Sequence, residues 1–428
     1  MRTRTSAAPL RGPALGTTPG ATADQQCCAE FARVGRRGFL GGALAAGSVL
    51  TLGSAVLTAS PAMAGSAESV LVVLSMRGAA DGLSLAVPYG DPVYYQARPG
   101  IAIPSGQLLA TNGFFGLHPR LAALMPLWEA REMAVIHACG LPVANRSHFD
   151  AMEQLEDADP GSSTRRGWLN RLLGTTGDVS PLEGFYVGGG VVPTALFGPE
   201  ATMAAADVDD VTIAGDDWGP GRRTSLHTLW NGDSTPLSAA MQVTTEAVDD
   251  FAPVHEAADN VAAYPDTDLA RGLAAAARMI RGDVGIRVLT LDQGDWDMHT
   301  NLGTLGWGAM IRNAEEFAGA ISAFFADLGT QRPKVTLVAL SEFGRRIAEN
   351  ANYGLDHGYG NAMWAFGAGV QGKQYYGSFP TLQNTLDADL LVTTDYRNVL
   401  ADVVESRFGA SIPTVFPGLS RQRVGFMA

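Results

Sequence analysis

Cysteine is nearly absent from this 428-residue chain, which has only Cys27, Cys28 and Cys139. Three thiols, two of them adjacent near one end, cannot staple a fold of this size, so stability must come from an apolar core. Lysine is scarcer still, with Lys334 and Lys373 alone. Cationic work therefore falls to arginine, whose planar fork suits fixed, bidentate contact with anions. Positive charge is also in deficit overall, with 30 Lys and Arg against 43 Asp and Glu, a net charge of −13. Nucleic acid and anionic membrane are thereby excluded as partners, because neither attracts an acidic surface. One apolar stretch, Leu40 to Ala59, reaches spanning length, but Gly41, Gly42, Gly47 and Gly53 interrupt it.

That stretch has a different reading. Arg36 and Arg37 stand just before it in a twin-arginine pattern, and Ala62, Met63 and Ala64 follow it with small residues where a signal peptidase reads. Residues 1–64 are expected to be a twin-arginine signal peptide cut after Ala64, with the protein exported to the periplasm or beyond. The cut would take Cys27 and Cys28 away and bring the net charge to −17. Stable membrane insertion is not expected after it. The twin-arginine route carries folded proteins, which suits a metal loaded before export.

From Ser69 onward, apolar β-prone runs alternate with amphipathic segments. That is the pattern of a mostly parallel sheet covered on both faces, an α/β three-layer sandwich. Residues 65–428 read as one domain. The Gly- and Asp-rich stretch 180–235 reads as short strands or an inserted segment over the site. Helices are expected over Pro119–Ala130, Gly167–Leu173, Pro236–Ala263, Asp266–Arg281 and Leu305–Leu328. Met363–Val370 and Gln374–Phe379 read as a late hairpin. Thr394–Phe408 reads as a closing helix capped by Thr393 or Thr394.

Polar clusters follow four of the apolar runs. Val70–Met76 leads into Arg77 and Asp81, and Arg287–Leu291 into Asp295, Asp297 and His299. Lys334–Leu340 leads into Glu342 and Arg345, with Asp356 and His357 a short loop later. Met133–Ile136 leads through His137 to Ser147, His148 and Asp150. Ligands bind outside the carboxyl ends of parallel strands, where carboxylates and imidazoles from distant sequence converge into metal or acid/base sites. Each cluster also has a plainer reading. Asp81 is a metal ligand or a helix cap, Glu342 a ligand or the ion-pair partner of Arg345, and Ser147 a nucleophile or an N-cap. His118 and His137 read as supporting groups, His227 and His255 as surface residues.

The motifs GAADGL, LHP, SHFD, DWDMH, SEFGR and DHG, in this order behind the leader, resemble the bacterial domain of unknown function family 1501 over about residues 69–427. That family looks like a branch of the alkaline phosphatase and sulfatase superfamily. The resemblance implies an alkaline-phosphatase-like sandwich with metals at the strand ends. It also implies an ordered set of Asp81, Ser147 as nucleophile, Asp297 with His299, and Asp356 with His357. No histidine follows His357, so the superfamily's last ligand falls to Glu342, His148 or Asp295, or a single metal binds. The expected protein is a metal-dependent hydrolase of anionic phosphate or sulfate esters using Zn, Mn, Ca or Mg, with Arg77 or Arg345 holding the anion. The alternative is a non-catalytic exported binding or assembly protein that retains the fold.

Overall fold

The run VLVVLSM explains the architecture by itself. All of Val70–Met76 is buried, and its alternate side chains enter two separate cores. Val70, Val72, Leu74 and Met76 face one side with Leu273, Phe317 and Phe324. Leu71 and Val73 face the other with Leu155, Leu169 and Val399. A strand apolar on both faces needs a helical layer on each, and each such Val or Leu contributes about 1.5–3 kcal/mol on burial. The result is a mixed α/β sandwich around a mostly parallel sheet.

This computed structural model describes residues 50–52, 55–57, 66–177, 180–189, 191–213, 221–230 and 235–428. The twin-arginine pattern and the cleavage site lie outside the described residues. Among those described, eleven strands form the main sheet. In chain order they are β1 (Leu50–Leu52), β2 (Ala55–Leu57), β3 (Val70–Met76), β4 (Met133–Gly140), β5 (Gly184–Val187), β6 (Met203–Ala205), β7 (Val288–Gln293), β8 (Val335–Leu340), β9 (Asn361–Gly367), β10 (Gln374–Tyr376) and β11 (Thr394–Asp395). The order across the sheet is β1-β2-β6-β5-β7-β3-β8-β9-β4-β10, with β11 also on β4. The run β6-β5-β7-β3-β8 is parallel throughout.

The Gly-rich stretch holds two short strands, β5 and β6, which extend the main sheet, and a helix over Gly221–Trp230. At its edge, β2 pairs antiparallel with β6, so a cut after Ala64 would remove β1 and β2 and leave β6 outermost.

Helices α1 (His148–Asp157), α2 (Asp268–Gly282), α3 (Ala309–Asp327) and α4 (Tyr396–Phe408) are the ones that frame the site and the two cores. No helix among the described residues is long and apolar enough to cross a membrane.

Two expectations fail here. The late hairpin does not form. β4 lies between β9 and β10, antiparallel to the first and parallel to the second. Met133–Ile136 is buried on both faces, so it takes an interior place with a neighbour on each side. The closing helix also starts later. Thr394 and Asp395 are spent on the sheet, and Asp395 caps α4 by accepting from Arg397 N at 2.9 Å. A further expectation holds only in part, since Pro119–Ala130 is a 3-10 turn to Leu124 followed by a short α-helix, Met125–Glu129.

Candidate metal centre

The carboxyl ends of β3, β7 and β8 lie side by side, and the loops leaving them lock together. Gly78, with φ +107°, has room for no side chain: a Cβ there would stand 2.5 Å from Asp297 N. The Gly/Ala turn after β3 therefore packs its backbone against the Asp297 loop. Gly78 N also donates to Glu342 Oε1 at 2.9 Å, and Ser341 Oγ lies 2.9 Å from the other oxygen of Glu342. Past Glu342 the chain folds back on itself, with Arg346 N bonded to Asp356 O and Gly358 N to Gly344 O. That ribbon carries Asp356 and His357 back to the strand ends. The first residue of α1 supplies His148.

Four ligand-type atoms meet there. His357 Nε2 is 3.0 Å from His148 Nε2 and 2.9 Å from His299 Nε2. Asp297 Oδ1 lies 3.1 Å from His299 Nε2, 3.5 Å from His357 Nε2 and 3.6 Å from His148 Nε2. Within the trio of His148, Asp297 and His357 the separations of 3.0, 3.5 and 3.6 Å suit one ion, because bonds of about 2.0–2.1 Å put neighbouring tetrahedral ligands roughly 3.3 Å apart. His148, Asp297 and His357 form a group that could hold a metal ion, and His299 lies beside it, against His357 and Asp297.

The outer nitrogens fix the tautomers. His148 Nδ1 meets Glu342 Oε1 at 2.7 Å, His299 Nδ1 meets Asp356 Oδ1 at 3.2 Å, and His357 Nδ1 meets the Arg146 carbonyl at 2.9 Å. Carboxylates and a carbonyl can only accept, so every Nδ1 carries its proton. In their neutral forms the rings would turn their Nε2 lone pairs toward one another and toward a carboxylate, a donor set that suits a cation.

Without an ion, a proton on His148 supplies the positive charge. Burial disfavours charge on His148, but hydrogen bonds to Asp297 and Glu342 outweigh it and raise its pKa to about 9. Burial pushes Asp297 up, yet its bonds to the three imidazoles, with Arg345 beside them, hold it far below the usual carboxylate range. His357 is lowered, chiefly by its burial. Glu342, against the pull of burial, is lowered by its bond to His148. Asp297 is the open side of the group, 41% exposed, whereas His357 is fully covered.

Other residues singled out in the sequence lie elsewhere. Asp81 caps the turn after β3 and is gripped by Arg98 at 2.5 and 3.0 Å, both side chains buried. Asp295 points out to Arg312 at 3.2 Å. Ser147 is the N-cap residue of α1, one position from His148, and its hydroxyl makes no capping bond.

Neither proposed anion holder is available as expected. Arg345 is buried, and its guanidinium binds the carbonyls of Ala79, Leu355, Gly78 and Trp296 besides Asp297. Arg77 sits between Glu156 at 2.6 Å and Asp292 at 2.9 Å. Arg345 is therefore a strut that also orients Asp297.

His118 caps the 3-10 turn, accepting from Arg120 N at 3.0 Å, and His137 stacks on Phe115 at 3.8 Å. Sequence reading missed Arg98, an isolated arginine with no motif around it. It also missed Arg146, which acts through its backbone and so leaves no mark in residue identity.

No curated protein matches the chain. Residues 226–403, which include Asp297, His299, Glu342, Asp356 and His357 but not His148, match the model of the family described as "Protein of unknown function (DUF1501)", and this match supports the resemblance read from the motifs.

Proposed function

We propose that the chain is an exported metal-dependent hydrolase of phosphate or sulfate esters, with a fold of the alkaline phosphatase and sulfatase type. The observation that carries this reading is the convergence of His148 Nε2, His357 Nε2 and Asp297 Oδ1, at 3.0, 3.5 and 3.6 Å, with His299 Nε2 against the last two. His148, His299, His357 and Asp297 would hold the ion. Imidazole ligands favour Zn over Mn, Ca or Mg, which prefer oxygen. A bound divalent ion would supply Lewis acidity to the ester oxygen. Around it, Glu342, Asp356 and the Arg146 carbonyl hold the rings, Arg345 holds Asp297, and Ser147 next to His148 is the candidate nucleophile. Elemental analysis of protein purified without chelators, with a screen of phosphomonoesters, phosphodiesters and sulfate esters, tests this. Hydrolysis abolished by chelation supports it, and metal-free, inactive protein contradicts it.

The second reading, a non-catalytic exported binding or assembly protein, draws on the engagement of Arg77 and Arg345, which leaves neither free for an anion. Metal uptake without hydrolysis in the same screen would favour it.

Two effects follow from the geometry. Glu342→Gln keeps the shape but gives His148 Nδ1 a weaker acceptor, and metal affinity should fall about 10–100-fold in a competition titration. Metal must also displace the extra proton of His148. Below the pKa of about 9, affinity should rise as pH rises, by roughly tenfold per unit for one proton released. The metal-free protein runs the other way. A folded pKa raised from 6.5 to about 9 gives stability that is full below 6.5 and lost as pH climbs through 9. That loss amounts to about 3 kcal/mol. Denaturant unfolding at pH 6 and pH 9.5, with and without metal, checks both signs.

A further inference from the structure

Two aromatic rings stand in water on the loops that carry His299 and Asp356. Trp307 and Tyr353 are 43% and 49% exposed and meet edge to face at 5.5 Å. A ladder between the two loops fixes their place. Leu355 N donates to Met298 O, Asn301 N to Asn352 O and Gly303 N to Tyr353 O. Between the first two rungs Gly354 abuts His299, since a Cβ on it would stand 2.2 Å from His299 O. Tyr353 is thus one residue, about 3.8 Å of chain, from direct contact with the backbone of His299. Trp307 is tied to the same loop through its carbonyl, which accepts from Thr304 N at 2.8 Å. Tyr353 also holds φ +52°, a left-handed conformation that strains a bulky side chain. Among the described non-glycine residues with positive φ it is the one aromatic. Strain of this kind persists where the side chain it presents has a task.

An electron-rich ring pair in an acidic mouth suits a cation. Ring faces attract positive charge, that of tryptophan most, and a quaternary ammonium sheds its water most easily. Asp356 adds a formal charge beside the rings. Its carboxylate is 43% exposed and meets His299 Nδ1 at 3.2 Å and Asn350 Nδ2 at 3.3 Å. A metal ion would keep His299 neutral, leaving Asp356 negative. Arg77 and Arg345 are tied to carboxylates, and the chain carries −13 overall. Such a mouth attracts a positive body and leaves a neutral one unaided. We infer that the alcohol half of the substrate is cationic. The substrate class is then a phosphate or sulfate ester of an amino or quaternary ammonium alcohol. Its anionic head goes to the metal and its cation to Trp307 and Tyr353. An ester of this kind carries less net negative charge than a plain one, which suits an acidic surface. The inference rests on the function proposed above, whose metal supplies the positive charge for the head.

Calorimetric titration of the metal-loaded protein with two phosphonates of one shape tests this. Trimethylammonioethylphosphonate carries the cation, and dimethylbutylphosphonate has carbon in place of that nitrogen. The cationic member should bind about 5–30-fold tighter. Trp307→Leu and, separately, Tyr353→Asn should each remove most of that advantage with metal content unchanged. Asparagine accepts the left-handed backbone, so Tyr353→Asn should not lower the melting temperature. A lowered melting temperature with the advantage intact would make the ring a packing piece and overturn the inference. Equal affinities of the two phosphonates, or an advantage that survives both substitutions, would overturn it while leaving the metal centre standing. Failure to take up metal, or metal-loaded protein that binds neither phosphonate, would overturn the function proposed above and this inference with it.

Discussion

His357→Ala should empty the proposed metal centre and cost stability in two separable ways. His357 Nε2 is the vertex that both other imidazoles face, at 3.0 and 2.9 Å. Losing it should weaken metal binding by more than the roughly 10–100-fold that an outer partner is worth. The ring is also fully buried, 4.9 Å from the Phe343 ring, so its truncation opens a cavity whether or not metal is bound. That part should cost about 3 kcal/mol in the chelated protein. In the metal-loaded protein the binding energy lost is added to it. His357→Asn fills more of the space and should keep most of the packing while still losing the metal. Ligand and core residue are here the same side chain, so only the difference between the chelated and loaded proteins isolates the metal's share.

Asp81→Ala should do the reverse, with a large loss of stability and an unchanged metal content. Its carboxylate and the Arg98 guanidinium are 2% and 0% exposed, and Arg98 also donates to Ile347 O and Arg346 O. Removing one partner leaves a buried charge uncompensated, at a cost of about 3–5 kcal/mol. Adding Arg98→Met to Asp81→Ala should recover part of that loss, because the stranded charge is gone. Denaturant unfolding gives the energies and elemental analysis the metal. Metal lost along with Asp81, in protein that still folds, would return this residue to the centre.

Asp81 and His357 also show how much was legible in the chain. The apolar runs VLVVLSM and KVTLVAL announced buried strands, and the clusters after them did come together at the strand ends. His148, Asp297, His299 and His357 could be singled out because imidazoles and carboxylates at such ends have few packing roles. Asp81 carried the same signature and proved to be a strut, since its partner Arg98 lies seventeen residues on in a stretch with no pattern. Arg345 looked like an anion holder, but the carbonyls that saturate it belong to loops whose meeting depends on the tertiary fold. The hairpin around Lys373 failed for a related reason. Local turn chemistry favoured it, while the doubly buried β4, far away in sequence, claimed both strands.

The most direct test of the central claim is X-ray absorption at the metal edge, on protein purified without chelators and quantified for metal per chain. The account predicts close to one transition-metal ion per chain, with a first shell of nitrogen and oxygen at about 2.0–2.1 Å and the outer-shell scattering of several imidazoles. Folded protein that carries no metal and takes up none when titrated, or a shell of oxygen alone, would contradict it.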